Sequence, residues 1–164
     1  MITATKINSL TDIDFDVLFD ATLPALDAEA NYWPSNVTSY DEKKSHSISV
    51  FDLLINTPKP CGLKLDIDGL TVSAMFGYIK DNQYNLVVGL MRDDENGSRD
   101  YVYDPAWLQA IKDFAASQGA TSCLMHFYTG SKILEVSIDA YGITESDITY
   151  LTTDHSKPVT ILRI

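Results

Sequence analysis

Basic residues are scarce in this chain: 12 lysines and arginines stand against 23 aspartates and glutamates, a net charge of −11 over 164 residues. A phosphate-backbone partner needs a basic face, so no nucleic-acid binding is expected. Long apolar runs are missing too. Nothing approaches the roughly 20 consecutive apolar residues that span a bilayer, and no membrane segment is expected. The start, Met1 to Ile7, lacks a charged leader with an apolar core, so no secretory signal is expected. Only two cysteines occur, Cys61 and Cys123, far apart and in apolar surroundings. They read as reduced, buried thiols of a cytoplasmic protein. His46, His126 and His155 show no metal-ligand spacing. A Gly-x-Ser-x-Gly elbow is absent, which leaves a serine hydrolase unsupported. The segments Asp93-Asp94-Glu95-Asn96-Gly97 and Asp66-Ile67-Asp68-Gly69 invite a calcium reading. Each places a basic residue, Arg92 or Lys64, at the first ligand position and lacks the closing glutamate, so no metal site is expected.

What is present is an ordinary globular composition, 45% hydrophobic and 21% charged, of a length that predicts one domain over residues 1–164. Thr3 to Ile7 predicts a short strand. Thr11 or Asp12 then caps a helix through Phe15, Leu18, Phe19, Leu23 and Leu26, with a kink or break near Thr22 because Pro24 lies inside it. Tyr32-Trp33-Pro34-Ser35 is a non-helical aromatic segment. A second helix runs from about Asp41 or Ser45 to Ile55, and Pro58 and Pro60 forbid its continuation. After Gly62 the apolar period changes from helical to two. Asp68-Gly69 and Asp81-Asn82 are tight turns that join three strands into an antiparallel meander ending at Tyr84–Met91. A polar loop from Asp93 to Tyr103 leads to Asp104, an N-cap, and to a helix from Pro105 to Gln118 stopped by Gly119. Ala120 to Tyr128 predicts a strand parallel to Leu86–Met91, because a helix of about 14 residues suits a parallel crossover. Ser131 caps a last helix that ends at Gly142. Ile148–Leu151 and Val159–Ile164 are strands separated by a polar Thr152 to Pro158 loop.

The resulting order, β-α-α-β-β-β-α-β-α-β-β, resembles the GNAT superfamily of N-acetyltransferases in element order, element length and total length. The carboxyl half also resembles the acetyltransferase-like proteins of marine tailed phages, in its Tyr101-Val102-Tyr103-Asp104-Pro105-Ala106-Trp107 helix start. The first resemblance implies an α/β fold with a mixed, mostly antiparallel central sheet flanked by helices. It also implies an acyl-CoA-dependent N-acetyltransferase acting on a small-molecule or peptide amine, with acetyl-CoA as cofactor. In that family the fourth strand holds the pantetheine arm by its backbone, which here points to Val88, Gly89, Leu90 and Met91, with Gly89 suited to a bulge or close approach. The family's Arg/Gln-x-x-Gly-x-Gly/Ala loop binds the diphosphate. Its match here puts Arg99 first, Val102 at the first glycine and Asp104 at the second, so both glycines are absent. Arg99, Tyr101, Val102 and Tyr103 are the candidates for the diphosphate end, with Arg92 in support. The family's helix asparagine falls on Ser131 and its acid tyrosine on Ile138, which cannot donate a proton. Tyr128 or Tyr141 is the alternative acid. The resemblance also makes Tyr32 and Trp33 line an acceptor site, with Asp66 or Asp68 as base and Tyr128 as acid. The competing reading is a binding module of the same fold that has lost its cofactor.

Overall fold

Period-two runs closed by left-handed turns build the centre of the molecule. The structure, a computed structural model, describes residues 1–29, 32–151 and 158–164. Strands β1 (Ile2–Ile7), β2 (Pro60–Ile67), β3 (Leu70–Lys80) and β4 (Gln83–Met91) form an antiparallel meander. Asp68 and Gly69, with φ of 50° and 87°, turn β2 into β3, and Asp81 and Asn82, with φ of 52° and 61°, turn β3 into β4. Positive φ at both central residues matches the right-handed twist of the flanking strands. β5 (Ser122–Tyr128) lies parallel to β4, and β6 (Ile148–Leu151) and β7 (Val159–Arg163) complete a seven-stranded sheet in the order β1-β2-β3-β4-β5-β7-β6. The Thr152 to Pro158 loop falls largely on residues 152–157, outside the described residues.

Four helices cover the two faces. α1 (Phe15–Ala28) and α2 (Tyr40–Ile55) bury Phe15, Leu18, Phe19, Phe51 and Leu54 against Ala74, Phe76 and Leu90. On the other face, α3 (Pro105–Ser117) sends Trp107, Ile111 and Phe114 against Leu63, Leu65, Met75, Tyr84 and Cys123. Trp107 is 1% exposed and Leu65 0%, so truncating Trp107 to alanine would cost about 3–5 kcal/mol. α4 (Lys132–Ala140) is capped by Ser131, whose hydroxyl accepts the Leu134 N–H. Cys61 and Cys123 are free and buried. Among the described residues, no helix is long and apolar enough to cross a membrane.

Three sequence expectations change. The first helix is capped by Asp14, not Thr11 or Asp12. Those two residues sit in a 3₁₀ turn, Leu10–Asp12, where the Asp12 carboxylate points back to the Asn8 and Ser9 N–H groups and caps that turn, while Asp14 accepts the Val17 N–H of the helix. The second helix begins at Tyr40, because Ser39 accepts the Glu42 N–H. Pro24 does not break α1, which runs unbroken to Ala28. The Ala21 C=O, in the turn before Pro24, takes a bond from the Arg99 guanidinium.

The bulge also moves. Phe76 pairs with Val88 and Gly77 with Leu86, so Val87 is the extra residue in β4, and Gly89 pairs regularly with Met75. The tightest glycine of the sheet is Gly77, where a Cβ would lie 1.6 Å from the Asn85 carbonyl oxygen.

Candidate functional site

β4 and β5 start as a parallel pair and then part. Their register runs from Gln83 opposite Ser122 to Leu86 opposite Met125 and stops there among the described residues. β4 continues through Val87, Val88, Gly89, Leu90 and Met91 along β3, while His126, Phe127 and Tyr128 of β5 pair with β7. The bulge at Val87 sits at the branching point, where an extra residue bends the strand. A fork therefore opens between the two central strands, just beyond the Leu86–Met125 pair.

One arm of the fork presents backbone. Arg92 N–H bonds to Val72 C=O on β3, whereas the Met91 N–H turns the other way and bonds to the Thr22 hydroxyl at 2.9 Å. Strand alternation then directs the N–H and C=O of Gly89, two residues earlier, to the same side as those of Met91. Gly89 is exposed, and a Cβ there would meet the Met75 side chain at 3.3 Å. Thr22 was not among the sequence candidates. Its hydroxyl lies within bonding distance of Leu18 C=O, Met91 C=O and Met91 N–H, so α1 closes the far end of this edge.

The other arm presents side chains. His126 Nε2 lies 2.9 Å from Asn85 Oδ1, across the start of the fork. Asn85 is 7% exposed and its amide nitrogen donates to the Gln83 carbonyl, which aims Oδ1 at the ring. Nε2 then carries the proton and Nδ1 keeps the lone pair. Burial holds the His126 pKa below the usual histidine value, so the ring is neutral at pH 7. Tyr128 projects from the same face two residues later, with its ring 5.5 Å from that of Tyr32 at a near-perpendicular angle. Burial pushes the Tyr32 phenol up to about 12 and raises that of Tyr128. The structure thus brings together Tyr32 and Tyr128, and places His126 two residues before Tyr128 on the same strand face. Trp33 stays with Tyr32, its ring 4.9 Å away and edge-on to it. Its indole N–H bonds to Asp27 at 2.8 Å, and it packs beside His46 and Lys43 between α1 and α2.

The proposed carboxylates do not join this group. Asp66 lies on β2, held by Thr71 at 2.6 Å and 3.7 Å from Lys64, and Asp68 holds the Met1 amino group. Three interstrand steps separate β2 from β5, about 14 Å, so neither acid shares a proton path with Tyr128. Their position in the β2–β3 hairpin was readable from the turn; its distance from β5 needed the sheet order.

The loop after β4 is knitted to itself. Asp94 Oδ1 accepts the N–H groups of Asn96 and Ser98, at 2.8 and 3.0 Å. Asp104 Oδ1 accepts the Ala106 N–H at 2.8 Å, and Pro105 has none to offer. The N–H groups of Gly97, Asp100, Val102 and Asp104 bond within the loop as well. Arg99 is bound on both sides, by Asp93 at 2.8 Å and by Ala21 C=O on α1. Tyr101 is buried, donates its hydroxyl to Arg92 C=O and Val72 C=O, and tilts against Trp107. Val102 is buried beside it, while Tyr103 is 36% exposed. Tyr141 donates to Val102 C=O at 2.8 Å and ties α4 to the loop, a structural use of that phenol. Among the described residues no cluster of histidines, cysteines and acids could hold a metal ion.

No protein-family model matches the sequence, and no curated protein does either. Solved structures do. An acetyltransferase of Salmonella typhimurium that modifies the N-terminal serine of a ribosomal protein has a TM-score of 0.61 at 12% identity, with 99% of this chain and 94% of that one covered. RimL, a ribosomal-protein α-N-acetyltransferase in complex with coenzyme A, has a TM-score of 0.59 at 13% identity, covering 99% and 92%. The PaiA N-acetyltransferase of Thermoplasma acidophilum, also in complex with coenzyme A, has 0.55 at 12%, covering 100% and 99%. With the expected element order, these correspondences establish that the chain has the GNAT N-acetyltransferase fold over the length they cover.

Proposed function

We propose that the chain is one domain that acts as an N-acetyltransferase, moving an acyl group from a coenzyme A-type thioester to an amine. The observation that carries this reading is the fork: a backbone edge on β4 faces a neutral histidine and a tyrosine on β5. The Gly89 N–H and C=O suit the amide groups of a pantetheine arm running along Val88 to Met91. His126 Nδ1 takes a proton from the acceptor ammonium, the freed amine nitrogen attacks the thioester carbonyl carbon, and the carbon–sulfur bond breaks. The leaving thiolate takes a proton from Tyr128, and the attacking nitrogen gives its second proton through water to the resulting phenolate, so that a neutral amide and a thiol leave. Tyr32 forms the roof over the acceptor. The base is placed at His126 and not at Asp66 or Asp68, since His126 lies two residues before Tyr128 on the same strand face while β2 is three strands away.

A peptide or small-molecule amine fits this role. RimL and the Salmonella enzyme are named for acting on ribosomal proteins, and the net charge of −11 suits a cationic acceptor. The test is thiol release from acetyl-CoA and from S-acetylpantetheine over a panel of polyamines and amino-terminal peptides. Amine-dependent thiol release from either donor is the expected result. No release from both would leave the binding-module reading standing.

A further inference from the structure

We propose that the donor site reads the acylated pantetheine arm and not the nucleotide diphosphate of coenzyme A. The inference rests on the acyltransferase reading and narrows the donor class. A diphosphate bound at this fold position requires unpaired N–H groups at a loop and helix start, with positive charge nearby. This loop offers the opposite. Asp104 is already the anion at the start of α3, where it takes the Ala106 N–H, and Asp94 takes the Asn96 and Ser98 N–H groups of the loop that leads there.

Cation supply is equally restricted. Asp93, Asp94, Glu95, Asp100 and Asp104 face two arginines in the segment 92–104. Arg99 is spent on Asp93 and on the α1 carbonyl of Ala21. Val102 and Asp104 stand where small residues would let a backbone approach phosphate oxygens. A diphosphate at the start of α3 would have to displace the Asp104 carboxylate from its N–H partner and lie among like charges.

The arm side shows no such conflict. Gly89 is exposed and its outward N–H and C=O need only an amide partner, so a neutral arm meets complementary backbone groups. The donor of this class is an acyl thioester whose pantetheine-type arm ends without a diphosphate.

Calorimetry with acetyl-CoA and with S-acetylpantetheine, on the full chain, tests this. The expected result is an S-acetylpantetheine Kd equal to or tighter than that of acetyl-CoA, within about threefold. Acetyl-CoA binding about thirtyfold tighter or more would overturn the inference and leave the acyltransferase reading intact. Binding of neither at millimolar ligand would overturn both. A double variant, Asp94→Asn with Asp104→Asn, keeps both caps and removes both charges. It should tighten acetyl-CoA about tenfold while S-acetylpantetheine stays within about twofold. Equal changes for the two ligands would mean that the carboxylates act on the fold and would count against the proposal.

Discussion

At the scale of single residues, the chemistry turns on which proton sits where. Asn85 cannot rotate without losing Gln83 C=O, so it holds His126 in the tautomer whose Nδ1 keeps the lone pair that the proposed mechanism uses. A His126→Gln variant keeps an amide for Asn85 but has no group that takes a proton. Its kcat/KM should fall by about 10²–10⁴ while acetyl-thioester binding changes little. The pH dependence has a definite sign. Burial lowers the folded pKa beneath the ordinary value of about 6.5, so the neutral ring that the proposed mechanism uses is lost only as pH falls through that lower value. The unfolded chain takes the proton earlier, near 6.5. Stability is therefore full above that pH and declines as pH falls through the folded pKa. His126→Gln should remove this histidine's share of both declines. A pH–rate limb identical in the variant would exclude His126 as the base.

Between elements, the decisive contact is that of β3 with the bulged strand β4. Gly77 lies against the Asn85 carbonyl, and Asn85 is the residue that aims His126. An added methyl at 1.6 Å meets backbone, which no side-chain rotation relieves. Gly77→Ala must push β3 from β4 at the point where the fork begins. The expected cost is about 3 kcal/mol or more, read as a lower urea midpoint. Activity should fall even at temperatures where the variant remains folded. Gly89→Ala meets only the flexible Met75 side chain, so its stability should stay within about 1 kcal/mol. Similar losses from the two substitutions would show that the bulge is not where the register places it.

For the whole molecule, the fold was far more legible than the site. The change of apolar period after Gly62, the Asp68-Gly69 and Asp81-Asn82 turns, and the helix between β4 and β5 are local signals, and each survived in the structure. Site assignments depended on distances that sequence spacing does not encode. Asp66 and Tyr128 look equally available until the sheet order puts β3 and β4 between their strands. Thr22 reads as an ordinary helix residue until α1 meets Met91, and Arg99 reads as an anion ligand until Ala21 claims it. The charge balance is a whole-molecule property in another sense. Twenty-three acids and 12 bases leave −11 on 164 residues, and the ion pairs among the described residues are mostly at the surface, where each is worth about 0–1 kcal/mol. Net repulsion between like charges weakens the compact state and is screened once the Debye length falls to about 8–10 Å. Raising sodium chloride from 10 to about 150 mM at pH 7 should therefore raise Tm, by a few degrees. The same salt weakens the five carboxylates of the 92–104 segment as a barrier to anions, so acetyl-CoA should gain affinity relative to S-acetylpantetheine. A Tm that is flat or falls with salt would show that specific ion pairs outweigh the net charge.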